Sequence, residues 1–308
     1  MKKTFTPYEF SRTELEILRD LTRSSASISE LADHIGKSQP MATAAVENLQ
    51  EKGFVATERA GMRKIVGFSQ AKHAQLLKEL FLTYSHVPWE SILADSQILP
   101  LFKLEHVTPE SVSRTTEWRA MRNLMAHGII INEAQGQTVN PRFHKISEFI
   151  REFVSFANSK LAAQVSESAA IVWASGSQFI IRVAAGTAIS DKRFKPTATT
   201  ALATYGIRLI SDLEYYYFSS LKKALRPEDI VLHTILIDGV TNVTYALILM
   251  AKVKTDPDIL LAAAEKLGLR SQVNGMLHFL ASHEPQNGAV LPNWSEFADR
   301  ARDYGVRI

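Results

Sequence analysis

The chain has 308 residues, 46% hydrophobic and 22% charged, with 35 Lys and Arg against 32 Asp and Glu, a net charge of +3. At about 100–200 residues per domain, this predicts two or three packed domains, excludes a mainly disordered chain and leaves any basic surface to be local. With no cysteine, disulfides, cysteine-ligated zinc or iron–sulfur centres and thiol catalysis are excluded.

The N-terminal stretch MKKTFTPYEFSRTELEILRD is charged where a signal peptide needs an apolar run. The longest apolar run, Tyr245 to Val253, contains Lys252 and is far shorter than the roughly 20 residues of a membrane span. A cytoplasmic protein without membrane contact is expected. Three regions follow one another: 1–84, 85–164 and 165–308. The first two share a layout of helices, a helix ending in Gly and a polar β-ribbon, an approximate internal repeat.

In the first region, Ser11-Arg-Thr-Glu14 fits a helix start with Glu at the third helical position. Leu15, Ile17, Leu18 and Leu21 then form one apolar face. Ser27-Ile-Ser29 precedes a short helix, ELADHIG, closed by Gly36. Ser38 is placed as the cap of a third helix, QPMATAAVENLQEK, which ends at Gly53 and turns Ala42, Ala45, Val46 and Leu49 inward. A hairpin is expected from Phe54–Thr57 and Lys64–Phe68 about a turn near Ala60-Gly61, then a helix in AKHAQLLKELFLTY.

This order is that of a winged helix. A helix of this length fits the major groove of duplex DNA, and the ribbon can reach phosphates or the minor groove. Gln39, Thr43, Ala44 and Glu47 would face the groove; Gln can bond adenine, Glu can accept from cytosine N4 and Ala44 can touch a thymine methyl. Arg59, Arg63 and Lys64 would meet phosphate. With Lys52 they outnumber Glu51 and Glu58 and leave the segment locally positive. The alternatives are a merely solvated helix face, pairing of Arg59 with Glu58 or Glu51, and a winged helix that contacts protein. The segment SISELADHIGKSQPMATAAVENLQEKGFV resembles the DNA-binding segment of winged-helix regulators of the ArsR and MarR types. Ser38-Gln39-Pro40, the Val46-x-x-Leu49 pair and Gly53-Phe54-Val55 carry the resemblance, which implies double-stranded DNA as a partner.

In the second region, WESILADSQILPLFKLEHV reads as a helix broken or kinked at Pro100. Met121-x-x-Leu124 followed by Gly128-Ile-Ile130 repeats the earlier spacing. Ile129–Asn132 and Thr138–Asn140 flank a turn at Gly136 and make a second wing. Arg114, Arg119 and Arg122 are candidate DNA contacts, since arginine binds phosphate and guanine. A domain that packs or dimerises is an equal alternative. The short helix before Ser113 is compressed and contains Pro109, a departure from the family pattern. Trp118 is expected in the core, and His127 at a helix C-terminus. The helix of PRFHKISEFIREFVSFANSKLAAQ repeats Ile146, Phe149, Ile150, Phe153, Val154 and Ala157; it could join domains, form a homodimer seam or pack within the chain.

From 165 onward an α+β domain is expected. AAIVWASGSQFIIRVAAG gives two strands about Ser175-Gly-Ser-Gln178. A small-residue helix ends at Gly206, and DLEYYYFSSL is a strand. Helices follow in PEDIVLHTILI, PDILLAAAEKLG, SQVNGMLHFLAS and NWSEFADRARDYG; VTYALILMAKVK is helix or buried strand. TALATYGI, EDIVLHTIL and LPNWSEFADRARDYGV resemble the C-terminal part of type IV antitoxins of the abortive-infection class. That resemblance implies a nucleotidyltransferase-like domain and a toxin or other protein partner. Asp212 and Glu214 have the alternate spacing of magnesium-holding carboxylates, with Asp238 as a third acid, but the Gly176-Ser177 pair lies too far upstream. His233 is expected as a hydrogen-bonded core histidine. Tyr215, Tyr216 and Tyr217 pack in the core and at its edge, or line an interface or ligand pocket.

The resulting expectation is an α+β chain of tandem winged-helix domains and an α+β C-terminal domain. It would bind duplex DNA as a transcriptional regulator, with no catalytic residue, metal or cofactor. The alternatives are an antitoxin-like protein that antagonises a toxin and a magnesium-dependent nucleotidyltransferase-like enzyme.

Overall fold

The computed structural model describes residues 8–61, 63–105, 113–134, 136–219, 224–238, 241–285 and 291–307. Helices and antiparallel strands give an α+β protein. It divides into two compact units, Met1–Lys160 with Ser175–Ser177, and Leu161–Ala174 with Gln178–Ile308.

The first unit begins with α1 (Arg12–Leu21). Ser11 Oγ accepts from the Glu14 amide at 3.2 Å, and the Glu14 carboxylate accepts from the Ser11 amide at 2.6 Å. This reciprocal cap satisfies two amides that the helix start leaves unpaired. A two-residue strand, β1 (Ala26–Ser27), leads into α2 (Ile28–His34), where Ser27 and Glu30 form the same cap. Next comes α3 (Gln39–Glu51), with Ala42, Ala45, Val46 and Leu49 buried as the periodicity predicts. Ser38 precedes it in extended conformation, but its side chain makes no capping bond. Pro40 sits in the first turn, where a missing N–H costs nothing. β2 (Val55–Ala60) and β3 (Arg63–Phe68) pair so that Ala60 faces Arg63 across Gly61. β1 adds to the far side of β3 in the order β1–β3–β2. The sequence pattern had not shown β1. α4 (Lys72–Thr83) follows.

After α5 (Trp89–Ile92), the chain makes a 3₁₀ turn at Asp95–Ile98 and enters α6 (Leu99–Leu104). The break expected at Pro100 therefore lies earlier. Ala94 is extended, Asp95 has φ +49°, and the Asp95 amide leaves the helix path to bond the Phe10 carbonyl at 2.7 Å. Pro100 lies in the first turn of α6, where proline is tolerated. The compressed segment around Pro109 lies outside the described residues. Ser113 caps α7 (Arg114–Ala126), whose Thr116 amide it accepts. β4 (Ile130–Glu133) and β5 (Gly136–Val139) form a hairpin, and a 3₁₀ turn leads to α8 (His144–Val165).

One core runs through this unit. It joins Phe10, Leu18, Val46, Phe54 and Leu77 to Trp89, Phe102, Leu124, Phe149 and Phe153, and so spans both sides of residue 84. The apolar residues of α8 from Ile146 to Val154 are thus covered from within the unit. Phe54 packs edge-on to Phe10, His73 and Phe153, at ring distances of 5.1, 4.7 and 5.0 Å. Gly53 has φ +74°, and a Cβ there would come within 2.4 Å of the Phe156 ring.

A buried ion pair crosses this core. Lys52 Nζ donates to both Glu14 oxygens, at 2.9 and 3.0 Å, and to the Glu9 carbonyl; the side chains are 9% and 2% exposed. The neutral His73 ring donates from Nε2 to the Lys52 carbonyl at 3.0 Å.

The second unit holds a sheet in the order β6–β7–β9–β8: β6 (Ala170–Ser175), β7 (Gln178–Ala184), β8 (Phe194–Pro196) and β9 (Leu213–Phe218), with β9 antiparallel to β7 and β8. Between β8 and β9 lies α9 (Ala198–Leu202), followed by a 3₁₀ turn closed by left-handed Gly206. α10 (Pro227–Asp238), α11 (Val243–Val253), α12 (Pro257–Lys266), α13 (Arg270–Ser282) and α14 (Trp294–Asp303) complete it. VTYALILMAKVK is helical: Ala246, Leu247, Ile248, Leu249 and Met250 are all buried, as in a helix enclosed on every side. Its core includes Ile235, Leu260, Met276, Phe279 and Phe297.

Lys52→Ala should destabilise the first unit by about 3–5 kcal/mol, because it leaves the Glu14 charge buried without a partner. Replacing both residues by methionine should cost much less. Urea unfolding checks this, and equal losses would show that the pairing is not the source. A pH dependence also follows. Burial pushes His73 and His233 down to about 4, so both stay neutral in the fold while the unfolded chain takes up protons below about pH 6.5. Their contribution is complete above that value and is lost as pH falls from 6.5 to about 4. From pH 7 to 5 each should remove about 2 kcal/mol. His73→Gln and His233→Gln should flatten the slope, and a slope unchanged by both would exclude the histidines as its origin.

Candidate nucleic-acid interface

Pro40, Ala44, Glu47 and Glu51 lie on the outward side of α3, opposite the buried Ala42, Ala45, Val46 and Leu49, and Gln39, Thr43 and Gln50 flank that side. Ser38, Gln39, Pro40, Ala44 and Glu47 are exposed and Thr43 is half-buried. The Thr43 hydroxyl donates to the Gln39 carbonyl at 2.9 Å, which leaves its oxygen as an acceptor only. Met41 is 51% exposed on a neighbouring flank, a position the apolar pattern had not distinguished. The helix carries exposed Glu47 and Glu51 and no Lys or Arg.

The positive charge lies instead on the β2–β3 hairpin. Arg59 stands directly opposite Lys64, and Arg63 is next along the strand. All three are exposed, and none belongs to an ion pair among the described residues. Arg59 thus pairs with neither Glu58 nor Glu51. Like charges placed directly across a ladder repel. The Glu30 carboxyl is held below its ordinary value chiefly by the Ser27 amide, with a smaller contribution from the Arg63 charge. Lys52 does not belong to this cluster: it is buried on Glu14, which reduces the local basic group to three side chains.

The α7 hairpin repeats the α3 hairpin in detail. Gly53 and Gly128 have φ +74° and +67°. The Phe54 amide bonds the Leu49 carbonyl, and the Ile129 amide bonds the Leu124 carbonyl, both at 2.9 Å. The same left-handed glycine closes both helices and aims both ribbons. The outer face of α7 differs in charge. Arg114, Arg119 and Arg122 are exposed. Trp118, expected in the core, is 56% exposed, because the helix turns Ala120 and Leu124 inward on the opposite side. The Arg122 guanidinium lies 4.7 Å from the Trp118 ring centre. His127 sits at the helix C-terminus, where Nδ1 meets the Asn123 carbonyl at 2.9 Å, as the dipole argument predicts.

In the second unit, Asp212 is exposed and precedes β9 rather than lying on it. Glu214 accepts from the Tyr216 hydroxyl at 2.8 Å and from the Gly186 amide at 3.4 Å. Burial, and then the hydrogen bond to Glu214 and its charge, push the Tyr216 phenol up to about 12. Gly176 and Ser177 form the β6–β7 turn and not a turn before β9. The Asp238 carboxylate lies outside the described residues. Among the described residues, no three His, Asp or Glu side chains gather as a metal site. His233 Nδ1 meets Thr197 Oγ1 at 2.6 Å, and its ring lies 4.7 Å from that of Tyr217, the hydrogen-bonded core setting expected for it. Tyr217 donates to Gln178 at 2.7 Å, and Tyr215 is half-buried beside it.

No helix among the described residues is long and apolar enough to cross a membrane. No curated protein and no solved structure matches the chain. Residues 191–306, from β8 through α14, match a family model described as HVO_2833_C, C-terminal.

Proposed function

We propose that the first unit binds duplex DNA as a winged helix and that the protein is a DNA-binding regulator. In this reading α3 is the recognition helix and the β2–β3 hairpin is the wing. The observation that carries it is the hairpin end, where Arg59 and Lys64 stand directly opposite each other on one face, exposed and in no ion pair among the described residues, with Arg63 exposed on the other face of the same ribbon. Such an arrangement is unfavourable by itself and is relieved by a polyanion. The α1–β1–α2–α3–β2–β3 order adds support, since it leaves Gln39, Ala44 and Glu47 outward on a helix of major-groove size. A carboxylate is repelled by phosphate but can accept from cytosine N4, which is the contact open to Glu47 in the groove. In this reading the wing supplies electrostatic affinity and α3 supplies selection.

Selection of binding sites from random duplex DNA tests the reading, and the spacing of half-sites would report dimer symmetry. Binding should weaken steeply with salt, and Arg63→Ala with Lys64→Ala should flatten the salt dependence by about two units in log–log slope, roughly one per lost phosphate contact. An unaltered slope in the folded double variant would remove the wing from the interface. Gln39→Ala should relax the selected motif at one base position with melting temperature unchanged, since the side chain is exposed. An intact motif would exclude Gln39 as a reader.

A further inference from the structure

The outer face of α7 has a chemistry different from that of α3. Arg114, Trp118 and Arg122 follow at intervals of four residues, so a cation stands about 6 Å along the axis on either side of the indole. Arg119 lies on the adjoining exposed flank. The acid of this helix, Glu117, points elsewhere and pairs with Lys103 at 2.5 Å. Among the described residues, Arg114 and Arg119 have no ion-pair or hydrogen-bond partner, and the stacked neighbour of Trp118 is Arg122. One face of the indole is therefore taken by a guanidinium, and the side chain as a whole stays 56% exposed. An exposed tryptophan in an all-cationic setting suits a ligand that is anionic and also has flat π surfaces.

Nucleic acid has both properties, but duplex DNA buries its base faces in the stack and offers side chains only edges and phosphates. Unpaired bases offer their faces. We propose that α7 is a second nucleic-acid site, specific for single-stranded segments, in which Trp118 stacks on one unpaired base while Arg114 and Arg119 hold the flanking phosphates. Arg122 orients the indole and adds positive charge behind it. The site stands on α7 alone and does not depend on duplex binding by α3 and its wing.

The test compares a 20-nucleotide oligothymidylate with a mixed-sequence 20-base-pair duplex, each titrated into the full-length protein at fixed low salt. The oligothymidylate should bind and quench tryptophan fluorescence. Trp118→Ala should weaken that binding about tenfold and abolish most of the quenching, with less than a twofold change for the duplex. Trp118→Phe should retain most of the single-strand affinity, because a phenyl ring still stacks. Arg114→Ala with Arg119→Ala should weaken single-strand binding and lower its salt slope by about two units. Since Trp118 is exposed, melting temperatures should stay at the wild-type value. Failure of the wild type to bind oligothymidylate overturns the proposal. So does a folded Trp118→Ala variant that binds it normally, as expected if α7 instead meets a protein. Equal losses for duplex and single strand also overturn it and would make α7 a phosphate-binding face only. Loss of duplex binding alone in Arg63→Ala/Lys64→Ala would concern the wing and leave this site standing.

Discussion

The Glu14–Lys52 pair fixes how α3 sits in its unit. The Glu14 carboxylate caps its own helix through the Ser11 amide and holds the ammonium that closes the far end of α3. Lys52 in turn bonds the Glu9 carbonyl, lies 5.1 Å from the Phe10 ring centre and presents its carbonyl to His73. Three segments distant in sequence thus meet at one lysine, residues 9–14 at its ammonium and His73 at its backbone carbonyl. Such a pair has a large desolvation cost, offset only when its geometry is met. It ties the C-terminal end of α3 to the first turn of α1. With Ala45, Val46 and Leu49 held inward, Gln39, Ala44 and Glu47 have no position but outward.

The α3 and α7 hairpins show the same backbone device with opposite charge. Both end in a left-handed glycine and the same amide-to-carbonyl bond. Around α3 the helix carries acids and no cation, and the ribbon carries three cations against Glu58. Around α7 the cations lie on the helix, and the exposed ribbon carries Glu133. Backbone geometry sets where a face points, and the side chains set what can approach it.

Much of this architecture was legible in the residues. Ser11 and Glu14 marked a helix start, Gly53 and Gly128 marked helix ends, and the inward positions of α3 followed from a period near four. Features governed by distant partners were not legible. A lysine is ordinarily counted as surface charge, and nothing near Lys52 in sequence announces Glu14. Pro100 drew the helix break to itself, although a first-turn proline is compatible with a helix; the break follows from the Asp95 amide meeting Phe10. Size alone argues for Trp118 inside, whereas its place opposite Ala120 and Leu124 puts it outside. β1 and β8 are two and three residues long, too short for any periodicity. The spacing of Asp212 and Glu214 was real, but β9 begins between them.

The contact of Phe156 with Gly53 bears on how this chain can be divided. The turn out of α3 is roofed by a ring carried more than a hundred positions later, on a helix that also supplies Phe149 and Phe153 to the same interior. A fragment cut after α4 would keep every residue of the helix–helix–ribbon segment and lose the wall against which Phe10, Phe54 and His73 rest. That segment is therefore no interchangeable cassette. Gene fusions, recombination or truncation that carry it elsewhere must carry the chain through α8 as well, and the heritable unit of this architecture is the whole first half.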